Sequence, residues 1–360
     1  HAFKFHAPNP FVIQDCRVEL KPSGSGKAFT AAFADAMIDM MGQDEKIVAI
    51  TAAMPDGTGL DKVMPHFPER VIDTGLCESH GMDMAAGMAK SGIKPFYAVY
   101  STFSQRALDQ VFQEVCLQEL PVRVCMDRAG YVGGDGAPMH GFMDVAMYAV
   151  FPGAVLLAAS DEPNLRAGLE FMRTYDAGAT FIRYPRENVA AEPLVPDVPP
   201  FELGKALRMK PAKGKKPDLA ILGYGVMVYE AVQAIEQLDA QGYDIALYDA
   251  RFAKPLDIEL VRELVEAGIP ILTVEDHGRI GGFGSLVLEA CNDARLPTER
   301  IFRMGAPDRW VYHGSRKENL EDADLNAAAI ARTVRQILDG SDARPPLDIH
   351  VDVKSTRVTR

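Results

Sequence analysis

From Phe29 onward, apolar residues recur every three to four positions: Phe29, Phe33, Met37 and Met40/Met41 form one face of a helix. The short apolar run Ile47 to Ile50 follows and reads as a buried strand. Similar runs occur at Val71–Ile72, Pro95–Tyr100, Val122–Met126, Ala154–Ala158 and Thr180–Arg183, with helical stretches such as Phe103–Leu117 and Glu162–Thr174 between them. Strands alternating with helices predict a parallel sheet covered on both faces. The pattern bounds a first α/β domain at residues 29–190. Residues 191–216 are rich in proline and lysine and read as an extended connector, with one strand near Phe201–Leu207. Alternation then resumes. Leu219–Leu222, Ile245–Tyr248 and Ile271–Val274 read as strands, and Val228–Leu238, Ile258–Ala267 and Ala327–Leu338 as helices, giving a second α/β domain over 217–340. Residues 1–28, with prolines and the run PSGSGK, read as an arm or linker, and 341–360 as a tail ordered only by docking on a partner.

Composition agrees with two cores. The chain has 360 residues, and single cores stop growing near ~250–300. No apolar run approaches the ~18 residues of a membrane helix, and the first residues, HAFKFHAPNP, lack a signal-peptide pattern. These features suggest a cytoplasmic protein with no membrane contact. A net charge of −12 argues against a nucleic-acid footprint, although an acidic protein can still gather arginines in one anion pocket. The five cysteines include no CxxC pair, which disfavours a disulfide framework or a zinc site.

The candidate chemistry centres on DTGLCESHGMDMAAGMAKSGIKPFYAVYSTFSQR, residues 73–106. Glu78 opens a helix of small residues, Tyr100 ends a buried-type strand, and Phe103 and Arg106 enter the next helix. A lone acid at a helix start is ordinarily a cap or a solvated first-turn charge, and Cys77 beside it reads as a small packing residue. The loop TAAMPDGTGLDKV follows a strand and reads equally as a ligand loop of an open parallel sheet or as an ordinary strand-to-helix turn. Arg106, Arg128 and Arg186 each stand just after a strand or near a helix start. Their guanidinium groups suit phosphate through a fork of parallel N–H donors. Two glycine-rich runs compete for attention. IGGFGS at 280–285 lacks the GK[ST] ending of a phosphate loop and reads as a tight turn before a helix. Asp135 of GYVGGDGAPMHG, with Asn164 downstream, imitates a thiamin-enzyme GDG…N metal site. Asn164 falls instead at the helix start SDEPNLR, so no metal site is expected in this chain.

Taken together, the runs IVAITAAMPDGTGL, HFPERVIDTGLCESHG, AVYSTFSQRALDQ, DRAGYVGGDG, SDEPNL, IRYPRENV, DARFAKPLD and GAPDRWVYHG resemble the C-terminal two-thirds of the 1-deoxy-D-xylulose 5-phosphate synthase family. These are thiamin-diphosphate enzymes of the transketolase type. The resemblance implies two doubly wound α/β domains, a transketolase pyrimidine-binding domain and a transketolase C-terminal domain. It also implies condensation of pyruvate with D-glyceraldehyde 3-phosphate, with release of CO2. By position, Glu78 matches the carboxyl that bonds the cofactor's aminopyrimidine and favours its imino tautomer. Phe103 matches the aromatic that stacks on that ring. Tyr100, Arg128 and Arg186 match residues holding the sugar-phosphate acceptor; nearby, Arg106 is expected to join them and Asp135 to take a catalytic part. The implied assembly is a homodimer, or a heterotetramer if the halves are separate chains.

Two departures accompany the resemblance. Where the family reads GDG-x-T-H, this chain reads Gly134-Asp135-Gly136-Ala137-Pro138-Met139, so Met139 replaces the active-site histidine and His140 comes one position late. The family's AEQH run becomes CESH, with Ser79 for glutamine. Met139 cannot exchange a proton as imidazole does; a catalytic part for His140, a different step or an altered activity all remain open. The family's N-terminal domain, which holds the diphosphate and Mg2+, is not in this sequence. The expectation is an N-terminal thiamin-diphosphate domain supplied in cis or in trans. The chain then reads as a fragment, a split subunit, a beta-type subunit of another 2-oxoacid or ketose enzyme, or a non-catalytic assembly module.

Overall fold

The computed structural model describes residues 11–14, 17–20, 26–214 and 216–340. The arm reading of residues 1–10, 15–16 and 21–25, and the tail reading of 341–360, lie outside the described residues. Within the arm, β1 (Phe11–Gln14) and β2 (Arg17–Leu20) pair as an antiparallel ribbon.

Two parallel-dominated sheets carry the rest. The first holds β3 (Ile47–Thr51), β4 (Val71–Asp73), β5 (Lys94–Tyr100), β6 (Arg123–Asp127), β7 (Val155–Ala158), β8 (Thr180–Arg183) and β12 (Phe252–Lys254), ordered β12-β7-β8-β6-β5-β3-β4. The second holds β9 (Leu207–Lys210), β10 (Leu219–Gly223), β11 (Ile245–Asp249), β13 (Ile271–Gly278) and β14 (Ile301–Ala306), ordered β14-β13-β10-β11-β9. Strands β6, β7, β8, β10 and β11 are buried along their whole length, because helices cover both faces and leave no side for polar alternation. Among the described residues no helix is long and apolar enough to cross a membrane.

Three sequence expectations are corrected. The helix expected over Phe103–Leu117 is segmented, with a wide-turn stretch at Val111–Cys116. Widening that turn brings both Val115 and Cys116 onto the core. The connector strand lies at Leu207–Lys210 rather than Phe201–Leu207, because Gly204 takes the left-handed conformation (φ 70°) in a turn closed from Lys205 N–H to Glu202 O. Third, the second half of the chain does not keep to its own sheet. Strand β12 crosses over and pairs antiparallel with β7. Phe252 is fully buried there, edge-on to Phe171 at 5.4 Å and to Phe201 at 5.6 Å, and Lys254 Nζ donates to the carbonyls of Ala149 and Phe151, both at 2.6 Å.

A buried charge cluster also joins the halves. Arg183, at the end of β8, donates from Nε to Asp144 at 3.0 Å and from Nη1 to Asp276 of β13 at 2.7 Å. Arg316 donates to the other oxygen of Asp276 at 3.0 Å. Burial opposes the charge on Arg183, and Asp144 and Asp276 overcome it, raising its pKa. Against the same cluster packs Gly130, whose φ of 72° and close approach to the Asp276 carboxylate leave no room for a Cβ.

Candidate functional site

Sheet register aligns the carboxyl ends that matter. Thr51 pairs with Asp73, and Tyr100 with Asp127, so the segments leaving β3, β4, β5 and β6 open on one edge, where open parallel sheets bind ligands. Glu78 leaves the β4 end as the first residue of the helix Glu78–Lys90 and is 4% exposed. That helix sits close because it is small on one side. A Cβ on Gly81 would stand 2.9 Å from the Tyr97 ring, and the Tyr97 hydroxyl donates to Glu78 O at 3.1 Å. Met82, Ala85, Ala86 and Ala89 are buried in the core beneath it.

A continuous column of contacts starts at Glu78. Arg106 Nη1 donates to Glu78 Oε1 at 2.7 Å, and its guanidinium lies over the Phe103 ring, 5.0 Å from the centroid. Phe103 stacks on Tyr100 with centroids 5.5 Å apart and planes 9° from parallel. Over the Tyr100 ring stands the Arg128 guanidinium at 4.2 Å, a geometry in which a cation meets the negative face of an aromatic. Arg128 is tethered in turn to Asp127 Oδ1 at 3.0 Å and to the Gly57 carbonyl. Asp127 also accepts from Thr30 Oγ1 at 2.8 Å. Arg128 has φ 62°; a non-glycine residue there stores backbone strain of about 1–2 kcal/mol. Burial pushes the Tyr100 hydroxyl up to about 12, with Arg128 pulling the other way, so it remains a proton donor at neutral pH.

Arg186 and Asp135 form a second group. Arg186 Nη1 bonds Asp135 Oδ1 at 3.1 Å and Val132 O at 3.3 Å. Asp135 lies in the loop 130–141, closed at its neck by reciprocal bonds between Gly130 and Gly141 at 2.7 and 2.8 Å. Thr102 Oγ1 donates to Pro138 O at 3.2 Å, tying this loop to the Tyr100–Phe103 turn. Met139 is half-buried in the loop. His140 is 3% exposed and packs edge-on against Tyr131 at 5.0 Å, and its Nδ1 accepts from the Val132 N–H at 3.3 Å. Burial lowers its pKa, with backbone groups of Tyr312 and Val311 pulling the other way.

The glycine-rich decoys resolve by their partners. The turn at 279–282 precedes the helix Phe283–Asp293, and the Glu275 carboxylate already accepts from the N–H groups of Phe283 and Gly284, at 2.6 and 2.8 Å. An internal carboxyl, whose pKa burial pushes up to about 8, thus fills the position a phosphate would take. Asn164 is fully buried, donates to Asp161 at 2.9 Å and faces Arg251 at 3.4 Å. Among the described residues no group of His, Cys, Asp and Glu could hold a metal ion.

Sequence reading missed Thr30, Gly57 and Asp127. Asp127 stands in the DRAG run beside Arg128, and Gly57 stands in the loop TAAMPDGTGLDKV already marked as following a strand; Thr30 carries no local signal, because only the sheet brings it there. Gly57 has a consequence. A Cβ there would strike the Tyr100 hydroxyl, so Gly57→Ala is expected to displace the Tyr100 ring and lower the unfolding free energy by about 1–3 kcal/mol, which chemical denaturation checks.

The model of the transketolase pyrimidine-binding domain matches residues 25–192, and that of the transketolase C-terminal domain matches 209–330. The 1-deoxy-D-xylulose-5-phosphate synthase of Gloeobacter violaceus is 39% identical over 344 residues, covering 95% of this chain and 53% of that protein. The synthase of Thermosynechococcus vestitus is 40% identical over 335 residues, covering 92% and 51%. The chain thus spans about half the length of the curated relatives it matches. Among solved structures, a split gene transketolase described as an inactive beta4 tetramer aligns with TM-score 0.76 at 26% identity, covering 88% of this chain and 99% of that one. The chain therefore belongs to the transketolase family, as a pyrimidine-binding domain followed by a C-terminal domain, with 1-deoxy-D-xylulose-5-phosphate synthases as its sequence relatives.

Proposed function

We propose that this chain supplies the pyrimidine-activating half of a thiamin-diphosphate transferase that condenses pyruvate with D-glyceraldehyde 3-phosphate to 1-deoxy-D-xylulose 5-phosphate and CO2. The observation that carries this is the seat formed by Glu78 and Phe103. A buried carboxylate stands beside an aromatic ring, and the flat N–H-donating group of Arg106 satisfies both. An aminopyrimidine has the same requirements, so the residues fit that half of the cofactor. Thiamin diphosphate supplies a stabilised carbanion for decarboxylating 2-oxoacids and transferring two-carbon units.

Glu78 would hold the pyrimidine nitrogen and exchange a proton with it, shielded from water by the helix it begins. Phe103 would fix the ring plane. Tyr100, Arg128 and Arg186 would receive the phosphorylated acceptor, with Arg128 locked by Asp127 and Asp135 orienting Arg186. The Mg2+ and diphosphate would be held by an N-terminal domain, in cis or in trans, within a homodimer or heterotetramer. Mixing this chain with such a domain, thiamin diphosphate, Mg2+, pyruvate and glyceraldehyde 3-phosphate is expected to release CO2. Absence of both CO2 and cofactor binding with every such partner would overturn the reading.

Met139 favours a second reading, a beta-type subunit acting on another 2-oxoacid or ketose, because the methionine gives the site no exchangeable proton where the family has imidazole. Product analysis across acceptors separates the two. Under the first reading, Met139→His is expected to raise turnover with glyceraldehyde 3-phosphate at least tenfold; unchanged turnover favours the second.

A further inference from the structure

We infer that Arg106 is a positioning residue that occupies the pyrimidine seat itself, so that cofactor binding requires its side chain to leave. This rests on the proposed role of Glu78 and Phe103 and goes beyond it. Arg106 was expected among the acceptor-binding residues, yet its guanidinium makes the two contacts required of an aminopyrimidine. It donates an N–H to the buried Glu78 oxygen at 2.7 Å and lies over the Phe103 face at 5.0 Å. The carboxylate is 4% exposed while the arginine side chain is 53% exposed, so an outward path lies open to the arginine alone.

The motion is confined to the side chain. Ser79, the residue that departs from the family's glutamine, donates from Oγ to the Arg106 carbonyl at 2.9 Å. This bond pins the backbone of the Gln105–Ala107 turn to the helix that starts at Glu78. Gln105 adds a second tie through its amide to Thr102 O at 2.7 Å. When Arg106 swings out, the turn stays and the Phe103 face is uncovered. Two effects follow. The buried carboxylate keeps a counter-charge until a ligand arrives, since a buried charge left unpaired is costly. Apparent affinity for the pyrimidine is reduced by the fraction of chains in which Arg106 sits inward.

The test uses the full chain and a pyrimidine probe, 4-amino-5-hydroxymethyl-2-methylpyrimidine, titrated by calorimetry or ligand-observed NMR. Arg106→Ala is expected to bind the probe about tenfold more tightly than the unsubstituted chain. Arg106→Lys, which keeps the charge and loses the flat fork, falls between them. Raising salt should tighten binding to the unsubstituted chain, because the half-exposed ion pair is screened, and leave Arg106→Ala unchanged. A purely structural role for Arg106 would weaken binding on substitution. Equal or weaker binding by Arg106→Ala, with Glu78→Ala still abolishing it, overturns this inference and leaves the proposed function standing. If neither the unsubstituted chain nor Arg106→Ala binds the probe, the assignment of Glu78 and Phe103 falls as well.

Discussion

Arg183→Met is expected to lower the unfolding free energy by about 3–5 kcal/mol, the range for removing one partner of a buried ion pair. Methionine fills much of the volume, so the loss is electrostatic rather than a cavity. It strips Asp144 of the 3.0 Å bond from Nε and Asp276 of the 2.7 Å bond from Nη1. Asp276 retains Arg316 at 3.0 Å, whereas Asp144 keeps the Val145 N–H at 3.0 Å and His277 at 3.5 Å but no arginine. Adding Asp144→Leu to the variant should therefore recover part of the loss, since it removes the buried carboxylate that is left without an arginine partner. Chemical denaturation of the single and double variants checks both statements; equal stability of Arg183→Met and the unsubstituted chain would show the cluster to be dispensable. The acid limb of stability should move too. Burial works to raise the Asp276 carboxyl, but Arg183 and Arg316 hold it below the ordinary aspartate value. A depressed folded-state pKa contributes stability that is present above the unfolded value and lost as pH falls through the folded one. With Arg183 gone, the folded-state value rises toward the unfolded one, so this pH-dependent stability is smaller and its loss is complete at a higher pH.

Glu78→Gln in the reconstituted enzyme is expected to cut CO2 release by about 100-fold or more, the scale of a lost general acid–base group. The substitution preserves size and one hydrogen-bonding oxygen, so the helix start and the Tyr97 bond to the Glu78 carbonyl should remain. What it removes is the ability to exchange a proton with a bound ring. Acceptor KM should stay near its original value, because the Tyr100 and Arg128 end of the column is tethered independently through Asp127 and Gly57. Equal CO2 release by Glu78→Gln would remove Glu78 from the chemistry.

The fold class was written in the alternation of apolar runs, and most strands lie within a residue or two of where those runs place them. What the pattern could not reveal was β12. Phe252 to Lys254 is too short for a periodicity signal, and its pairing with β7 is a contact between positions almost a hundred residues apart. Likewise, the motifs named Glu78, Phe103, Tyr100 and the three arginines, but not what each side chain touches.

By itself, then, the sequence determined a two-part α/β chain and pointed to residues from Glu78 to Arg186 as a candidate site, because hydrophobic period and residue type are local properties. Tertiary structure decided the partnerships. It set Arg106 on Glu78 rather than with the other arginines, turned His140 toward Tyr131, filled the helix start at Phe283 with Glu275, and locked the halves through Arg183. Each of these depends on which carboxylate or ring the fold brings within reach of a charged or polar group, and that distance is fixed only when the strands have taken their order.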